Sequence, residues 1–264
     1  MDAEQIQQWM ERVIKPYLSE HTEIIQKSLE LASVAHAGQI RASGDPYITH
    51  VLAVAETLFE LRMDHETICA ALLHEVPGRT SQSGSDSEEG NRFTLQQVCE
   101  EIGHPVCQLV AGVAKLDKLR TGAEGDVLME ASQAESLRKM LLAMAQDVRV
   151  VLIKLADRLH NMQTVKYLPE AKQKHLASET MEIYAPLANR LGIWQIKWEL
   201  EDLAFRVLHP DSYRKLASAL DRKRHERESM IAQVTNEVSR LLDKEGITAD
   251  IKGRPKHIYS IWRK

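Results

Sequence analysis

Apolar residues recur at helical spacing through most of the chain. The strongest stripe joins Leu137, Met140, Leu141, Met144, Val148, Val151, Leu152, Leu155, Leu159 and Met162. Its period near 3.6 predicts one long helix, or two that meet near Gln146 and Asp147. Weaker stripes predict helices over 24–37, 51–61, 67–76, 95–102, 106–116 and 181–191. Thr22 reads as a simple N-cap of the first, because Ile25 stands where a capping box needs Glu or Gln. Helices in series with short polar connections describe an all-α domain over residues 1–195.

Two stretches interrupt the pattern. Residues 77–92 read PGRTSQSGSDSEEGNR, without periodicity, which predicts a long mobile loop. Residues 121–126 are a weaker break around Gly122 and Gly125. Past Trp194 the character changes. Residues 199–208 read as a helix stopped by His209-Pro210-Asp211-Ser212, and 213–244 as one long charged helix closed by Gly246. Residues 247–251 alternate like a strand, and a short helix begins at His257. A lone strand cannot satisfy its own backbone, so 196–264 is expected to be linker helices and the truncated start of a second, α/β domain.

Composition narrows the class. Twelve glycines and eight prolines among 264 residues are too few for a turn-rich β sandwich, and 44% apolar with 27% charged residues is ordinary for a globular chain. The net charge of −4, with both signs interspersed, gives no basis for direct DNA binding or a polybasic membrane anchor. No apolar run is long enough to cross a bilayer, and no signal-peptide core opens the chain. Cys69, Cys99 and Cys107 lack C-x-x-C spacing and read as small buried hydrophobes in a reducing compartment, so a cytoplasmic location is expected.

Eleven histidines direct attention to chemistry. His50 falls near a predicted helix start, His74-Glu75 ends another, and Asp157 lies in the strongest stripe. Two imidazoles and two carboxylates form a mixed N/O set suited to Mn²⁺ or Fe²⁺. Asp157 and Asn161 share a helix face, and Thr164 continues it. On residue types alone the bland reading stands beside this one: a histidine on an apolar helix is more often a core residue, and Asp157 has Arg158 as a neighbour.

The words around these residues are more specific. His50, His74-Glu75 and Lys154-Leu-Ala-Asp157-Arg-Leu-His-Asn161-Met resemble HD-type metal-dependent phosphohydrolases. Ala35-His-Ala-Gly-Gln39, Arg41-Ala-Ser-Gly-Asp-Pro-Tyr-Ile-Thr-His50, Ala70-Ala-Leu-Leu-His74, Arg138-Lys-Met-Leu-Leu-Ala-Met-Ala145 and Tyr184-Ala-Pro-Leu-Ala-Asn-Arg-Leu-Gly-Ile193 resemble the long RelA/SpoT-homologue family, from about residue 22 to the end. That family makes and degrades (p)ppGpp in the bacterial stringent response. The resemblance implies an all-α HD-domain helical bundle, then the beginning of an α/β nucleotidyltransferase-like synthetase domain. It implies that His50, His74, Glu75 and Asp157 hold one Mn²⁺, and that Arg41, Ser43, Asn161 and Thr164 line a nucleotide pocket for (p)ppGpp. It implies that Arg254, Lys256 and Lys264 hold ATP phosphates for pyrophosphate transfer to GDP or GTP, with Mg²⁺ bound by acidic residues of the parent beyond this chain. Ribosome contact would follow for the parent through further C-terminal regions.

Departures sit in the hydrolase centre. The family's His-Asp is here His74-Glu75, one methylene longer. Four and five residues past the metal histidine the family carries Glu-Asp, and this chain has Gly78-Arg79. The local formal charge moves from −2 to +1, and no side chain replaces an acid/base pair worth about 10²–10⁴ in rate. Val51 for Pro and Ala42 for Lys are milder changes. Three readings follow: a non-hydrolysing HD domain beside a RelA-like synthetase, a weak Mn²⁺-dependent (p)ppGpp 3′-pyrophosphohydrolase, or a module that binds the nucleotide without turnover. The fragment itself is expected to lack pyrophosphokinase activity.

Overall fold

The computed structural model describes residues 3–14, 16, 17, 19–76, 94–121, 138, 142, 146–221, 224–249, 251, 253 and 256–264. Among them it contains helices and no strand; Ile40 and Pro46 form one isolated bridge. The helices that build the site are α1 (Ala3–Val13), α2 (Ser19–Ala35), α3 (Ile48–Glu60), α4 (His65–Leu73), α5 (Leu95–Ile102), α6 (His104–Thr121) and α7 (Val148–Gln163).

Helix α4 is the centre of the first core, with every residue from Thr67 to Leu73 buried. A helix apolar on all sides must be surrounded, and α2, α3, α6 and α7 pack around it. Its start is set by Asp64, whose carboxylate accepts from the Thr67 amide at 2.9 Å. Helix α2 faces it with Ile25, Leu29 and Ala32, one i, i+4, i+7 stripe. That helix begins at Ser19, so Thr22 lies inside its first turn and is not its cap. The apolar stripe alone misses the start, because the first turn of α2 is polar.

Helix α7 joins two cores. Val150, Leu152, Ile153 and Ala156 face the first. Val151, Leu155, Leu159 and Met162 face a second, built with α8 (Glu170–Glu179), α9 (Ala185–Arg190) and α10 (Trp194–Leu208). Its N-cap is Asp147, which accepts from the Arg149 amide, so the break read at Gln146 and Asp147 is a capped helix start. Arg149 also reaches Glu66 at 2.7 Å, tying the start of α7 to the start of α4. Gly112 of α6 lets α7 approach closely: a Cβ there would stand 2.8 Å from Val150 Cγ2. Between α8 and α9 a wide π turn, Thr180–Tyr184, precedes Pro186, which has no amide hydrogen for a regular ladder.

The last helices are α11 (Pro210–Asp221), α12 (Arg224–Lys244) and α13 (Ile258–Trp262). Pro210 starts α11 instead of only ending α10, because proline is well placed where an amide would be unpaired anyway. The helix read over 213–244 is therefore α11 and α12, with 222 and 223 outside the described residues. Gly246, at φ +69°, closes α12. The strand read over 247–251 is not formed: residues 247–249 and 251 are irregular, since alternation without a neighbouring strand leaves the ladder unmade. Helix α13 returns to α10, with Trp262 4.7 Å and Tyr259 5.7 Å from Phe205, ring centre to ring centre. Asp202 of α10 accepts from the Ile258 and Tyr259 amides at the start of α13.

Of the cysteines, Cys69 is buried and free, and Cys99 and Cys107 lie against each other across the α5–α6 corner, their Cα atoms 5.0 Å apart. The turn at Gly103 brings them together, and their eight-residue spacing carries no recognisable motif. The loop read over 77–92 falls outside the described residues, as does most of 121–126. No described helix is long and apolar enough to cross a membrane.

Candidate metal centre

Three helices deliver four ligand groups to one point. His50 stands in the first turn of α3, His74 caps the C-terminus of α4 with Glu75 next to it, and Asp157 lies in the middle of α7. One ligand atom from each falls within 4.8 Å of the others. An ion with bonds near 2.1 Å holds its ligand atoms about 3 to 4.3 Å apart, so the cluster fits one divalent cation after small rotations. The adjacent histidine and glutamate reach the same point because the helix ends there: His74 Nε2 and Glu75 Oε1 are 3.9 Å apart.

The donor atoms have the character a cation requires. The Nδ1–H of His74 donates to the Ala71 carbonyl at 2.7 Å, which leaves its Nε2 bare. The Nε2 atoms of His50 and His74 are both buried and without a hydrogen-bond partner. His50 Nε2 is 3.3 Å from Asp157 Oδ1, close but not aligned as a hydrogen bond. Buried nitrogens without partners are costly, and a bound cation would satisfy both.

Electrostatics hold these groups in their ligand forms. Burial pushes His50 down to about 3, against the pull of Asp157, so the imidazole is neutral. Burial raises Asp157, but Lys154, then His50 and His74, outweigh it and hold the carboxyl well below its usual range. Lys154 Nζ donates to Asp157 Oδ2 at 2.6 Å, and Asn161 Nδ2 to Oδ1 at 2.6 Å. Asp157 therefore stays ionised and oriented in the interior.

The residues read as a nucleotide pocket adjoin this cluster in part. Arg41 Nη2 donates to Asn161 Oδ1 at 2.8 Å and lies 3.4 Å from Thr164 Oγ1. Ser43 Oγ accepts from the Asp45 amide within its own turn at 3.5 Å. Sequence reasoning assigned no role to His160, whose Nδ1 is 2.8 Å from Arg41 Nη1 and 2.9 Å from His50 Nδ1. Burial, then the nearby Arg41, push His160 down to about 4. Gly78, Arg79 and Arg254 lie outside the described residues. Lys256 and Lys264 stand side by side, and the hydrogen-bonding contact with Lys264, then its charge, lower the Lys256 ammonium from its usual range.

Known proteins resemble this chain in sequence. The HD-domain family model matches residues 28–194. A probable GTP pyrophosphokinase of Mycobacterium leprae is 44% identical over 260 residues, covering 96% of this chain and 31% of its own length. A guanosine-3′,5′-bis(diphosphate) 3′-pyrophosphohydrolase of Haemophilus influenzae is 46% identical over 234 residues, 89% of this chain and 32% of its own length. The bifunctional (p)ppGpp synthase/hydrolase SpoT of Escherichia coli K12 is 43% identical over 256 residues, 97% and 34%. The chain thus spans about a third of the length of these relatives. A solved metazoan SpoT orthologue, described as hydrolysing ppGpp, aligns more loosely, with TM-score 0.47 and 22% identity over 73% of this chain and 98% of its own. With a histidine-and-carboxylate cluster on three packed helices and the family match over 28–194, the chain belongs to the HD-domain family, among the RelA/SpoT homologues.

Proposed function

We propose that this chain is the N-terminal part of a stringent-response (p)ppGpp synthetase, a GTP pyrophosphokinase, whose HD centre holds a metal ion but no longer hydrolyses (p)ppGpp. The observation that carries this reading is the division of labour among acids. Both carboxylates of the cluster, Glu75 and Asp157, occupy ligand positions, and Gly78-Arg79 stands where the family's proton-handling Glu-Asp is expected. No acid of the cluster is then left to take a proton from water.

In this reading His50, His74, Glu75 and Asp157 hold Mn²⁺, which when bound supplies Lewis acidity beside the scissile phosphate. Lys154 keeps Asp157 charged, and Asn161 orients it. Arg41 and Thr164, with Ser43 in the same loop, offer the polar wall for a guanine nucleotide's phosphates. Arg79 adds positive charge, which opposes cation binding and does no acid–base work. The HD domain over 1–195 thus serves as a scaffold or regulator. Residues 196–264 lead into a synthetase domain in which Arg254, Lys256 and Lys264 would hold ATP phosphates, with Mg²⁺ bound elsewhere in the parent. The parent would act in the cytoplasm on GDP, GTP and ATP, with the ribosome as its partner.

One observation favours a second reading, a weak Mn²⁺-dependent 3′-pyrophosphohydrolase: Glu75 reaches the cluster despite its extra methylene. Incubation with ppGpp and excess Mn²⁺, following GDP and pyrophosphate beside an Asp157→Ala control, separates the two. No turnover above the control supports the first. Turnover that the control abolishes overturns it in favour of the second.

A further inference from the structure

His160 occupies a position that no ligand role requires, yet it touches both halves of the site. Its Nδ1 lies 2.8 Å from Arg41 Nη1 and 2.9 Å from His50 Nδ1. The two histidine rings are tilted by 50°, with centres 4.9 Å apart. A guanidinium has only donors, so the contact with Arg41 means that His160 Nδ1 carries its lone pair. His50 Nδ1 faces that same lone pair. A second bare nitrogen at this distance would be repelled, whereas the contact of His50 Nε2 with Asp157 Oδ1 is longer, at 3.3 Å, and out of line, so the single proton makes its better bond on Nδ1, donated to His160.

The remaining nitrogen then follows. With the proton on Nδ1, His50 Nε2 is a bare donor atom, and it is this buried atom that lacks a hydrogen-bond partner and lies 3.3 Å from Asp157 Oδ1. The other tautomer would aim an N–H into the place a cation would take. For His74 the Ala71 carbonyl selects the same tautomer. For His50, buried within α3, the structure supplies His160 for that purpose.

We propose that His160 is a positioning residue: it accepts the Nδ1 proton of His50, fixing the tautomer whose Nε2 binds metal, with its one lone pair shared between His50 and Arg41. This rests on the metal reading above, and it places one side chain between the cation-binding and the anion-binding parts of the site. Outer partners of ligating histidines commonly contribute 10- to 100-fold to metal affinity.

The test uses the whole ¹⁵N-labelled chain. In metal-stripped protein, long-range ¹H–¹⁵N ring correlations, assigned with His50→Gln, read the His50 tautomer directly. The expected spectrum has Nδ1 protonated and Nε2 bare in His50, with the reverse in His160. Mn²⁺ titration followed by electron paramagnetic resonance then compares His160→Phe, which keeps a ring but no acceptor, with His160→Gln, which restores an acceptor oxygen. His160→Phe is expected to bind Mn²⁺ 10- to 100-fold more weakly, and His160→Gln within about fivefold of the parent chain. A His50 protonated on Nε2, or a His160→Phe variant that binds Mn²⁺ within twofold of the parent chain, overturns the proposal. If His160→Phe does not fold, the parent chain's tautomer and the His160→Gln affinity decide. If the parent chain takes up no Mn²⁺, the metal reading fails, and the tautomer spectrum still judges His160.

Discussion

Lys154→Met removes an ammonium from the interior and keeps nearly the same chain length. Lys154 and Asp157 have side chains 7% and 4% exposed, and their charged atoms are 2.6 Å apart. Opposite charges at 4 Å attract by about 4 kcal/mol at an effective dielectric near 20, and removing one member of a buried pair costs about 3–5 kcal/mol. Asp157 keeps Asn161 as a donor and His50 as a neighbour, which puts the expected loss near the lower end, about 3 kcal/mol. Urea unfolding in EDTA, followed by circular dichroism, measures it. Adding Asp157→Asn to Lys154→Met removes the stranded charge and is expected to recover at least about 2 kcal/mol of that loss. Mn²⁺ should stabilise Lys154→Met more than the parent chain, because the cation then faces Asp157 without a competing ammonium. A single variant that costs less than about 1 kcal/mol, or a double variant no more stable than the single, would refute the argument that Lys154 sustains the Asp157 charge.

Acid should destabilise the metal-free chain. His50 and His160 are held neutral when folded, at about 3 and about 4, while the unfolded chain takes up these protons near 6.5. Their contribution is complete above pH 6.5 and is lost as pH falls towards 4, by about 2 kcal/mol for each at pH 5. Asp157, whose folded value is depressed, adds a loss in the same direction at lower pH. Urea midpoints in EDTA at pH 7 and pH 5 check this, and an equal or higher midpoint at pH 5 contradicts it. Asp202→Ala removes the acceptor at the start of α13 and the partner of His257 Nδ1, 3.2 Å away. It should cost about 1 kcal/mol and further expose Trp262, already 43% exposed; unchanged tryptophan fluorescence and stability would count against α13 being held there.

The legible features were those written locally. Helix α5 falls where the stripe over 95–102 put it, because its buried residues, Val98 and Ile102, are four apart on one face. Asp147 and Gly246 mark real helix ends, since caps are chosen by residue type as well as by context, and the last short helix follows His257 as read. His50, His74, Glu75 and Asp157 were assembled from motif resemblance, and the folded chain brings their donor atoms together. What escaped depends on distance. His160 gains its meaning from Arg41, 119 positions away. Cys99 and Cys107 meet only because α5 and α6 turn at Gly103. The Thr94–Gln97 capping box lies just before an apolar stripe whose first residue is Leu95, and the stripe hid it. The strand over 247–251 failed for the opposite reason: local alternation was present, and no described strand lies beside it.

The most direct measurement compares the parent chain with the Gly78→Glu/Arg79→Asp double variant, each incubated with ppGpp and excess Mn²⁺ while GDP and pyrophosphate are followed. If the HD centre retains its metal set but has lost its proton-handling acids, the parent chain stays at the Asp157→Ala background and the variant gains about 10²-fold or more. A parent chain that already hydrolyses ppGpp well above that background, with no gain in the variant, would contradict the account.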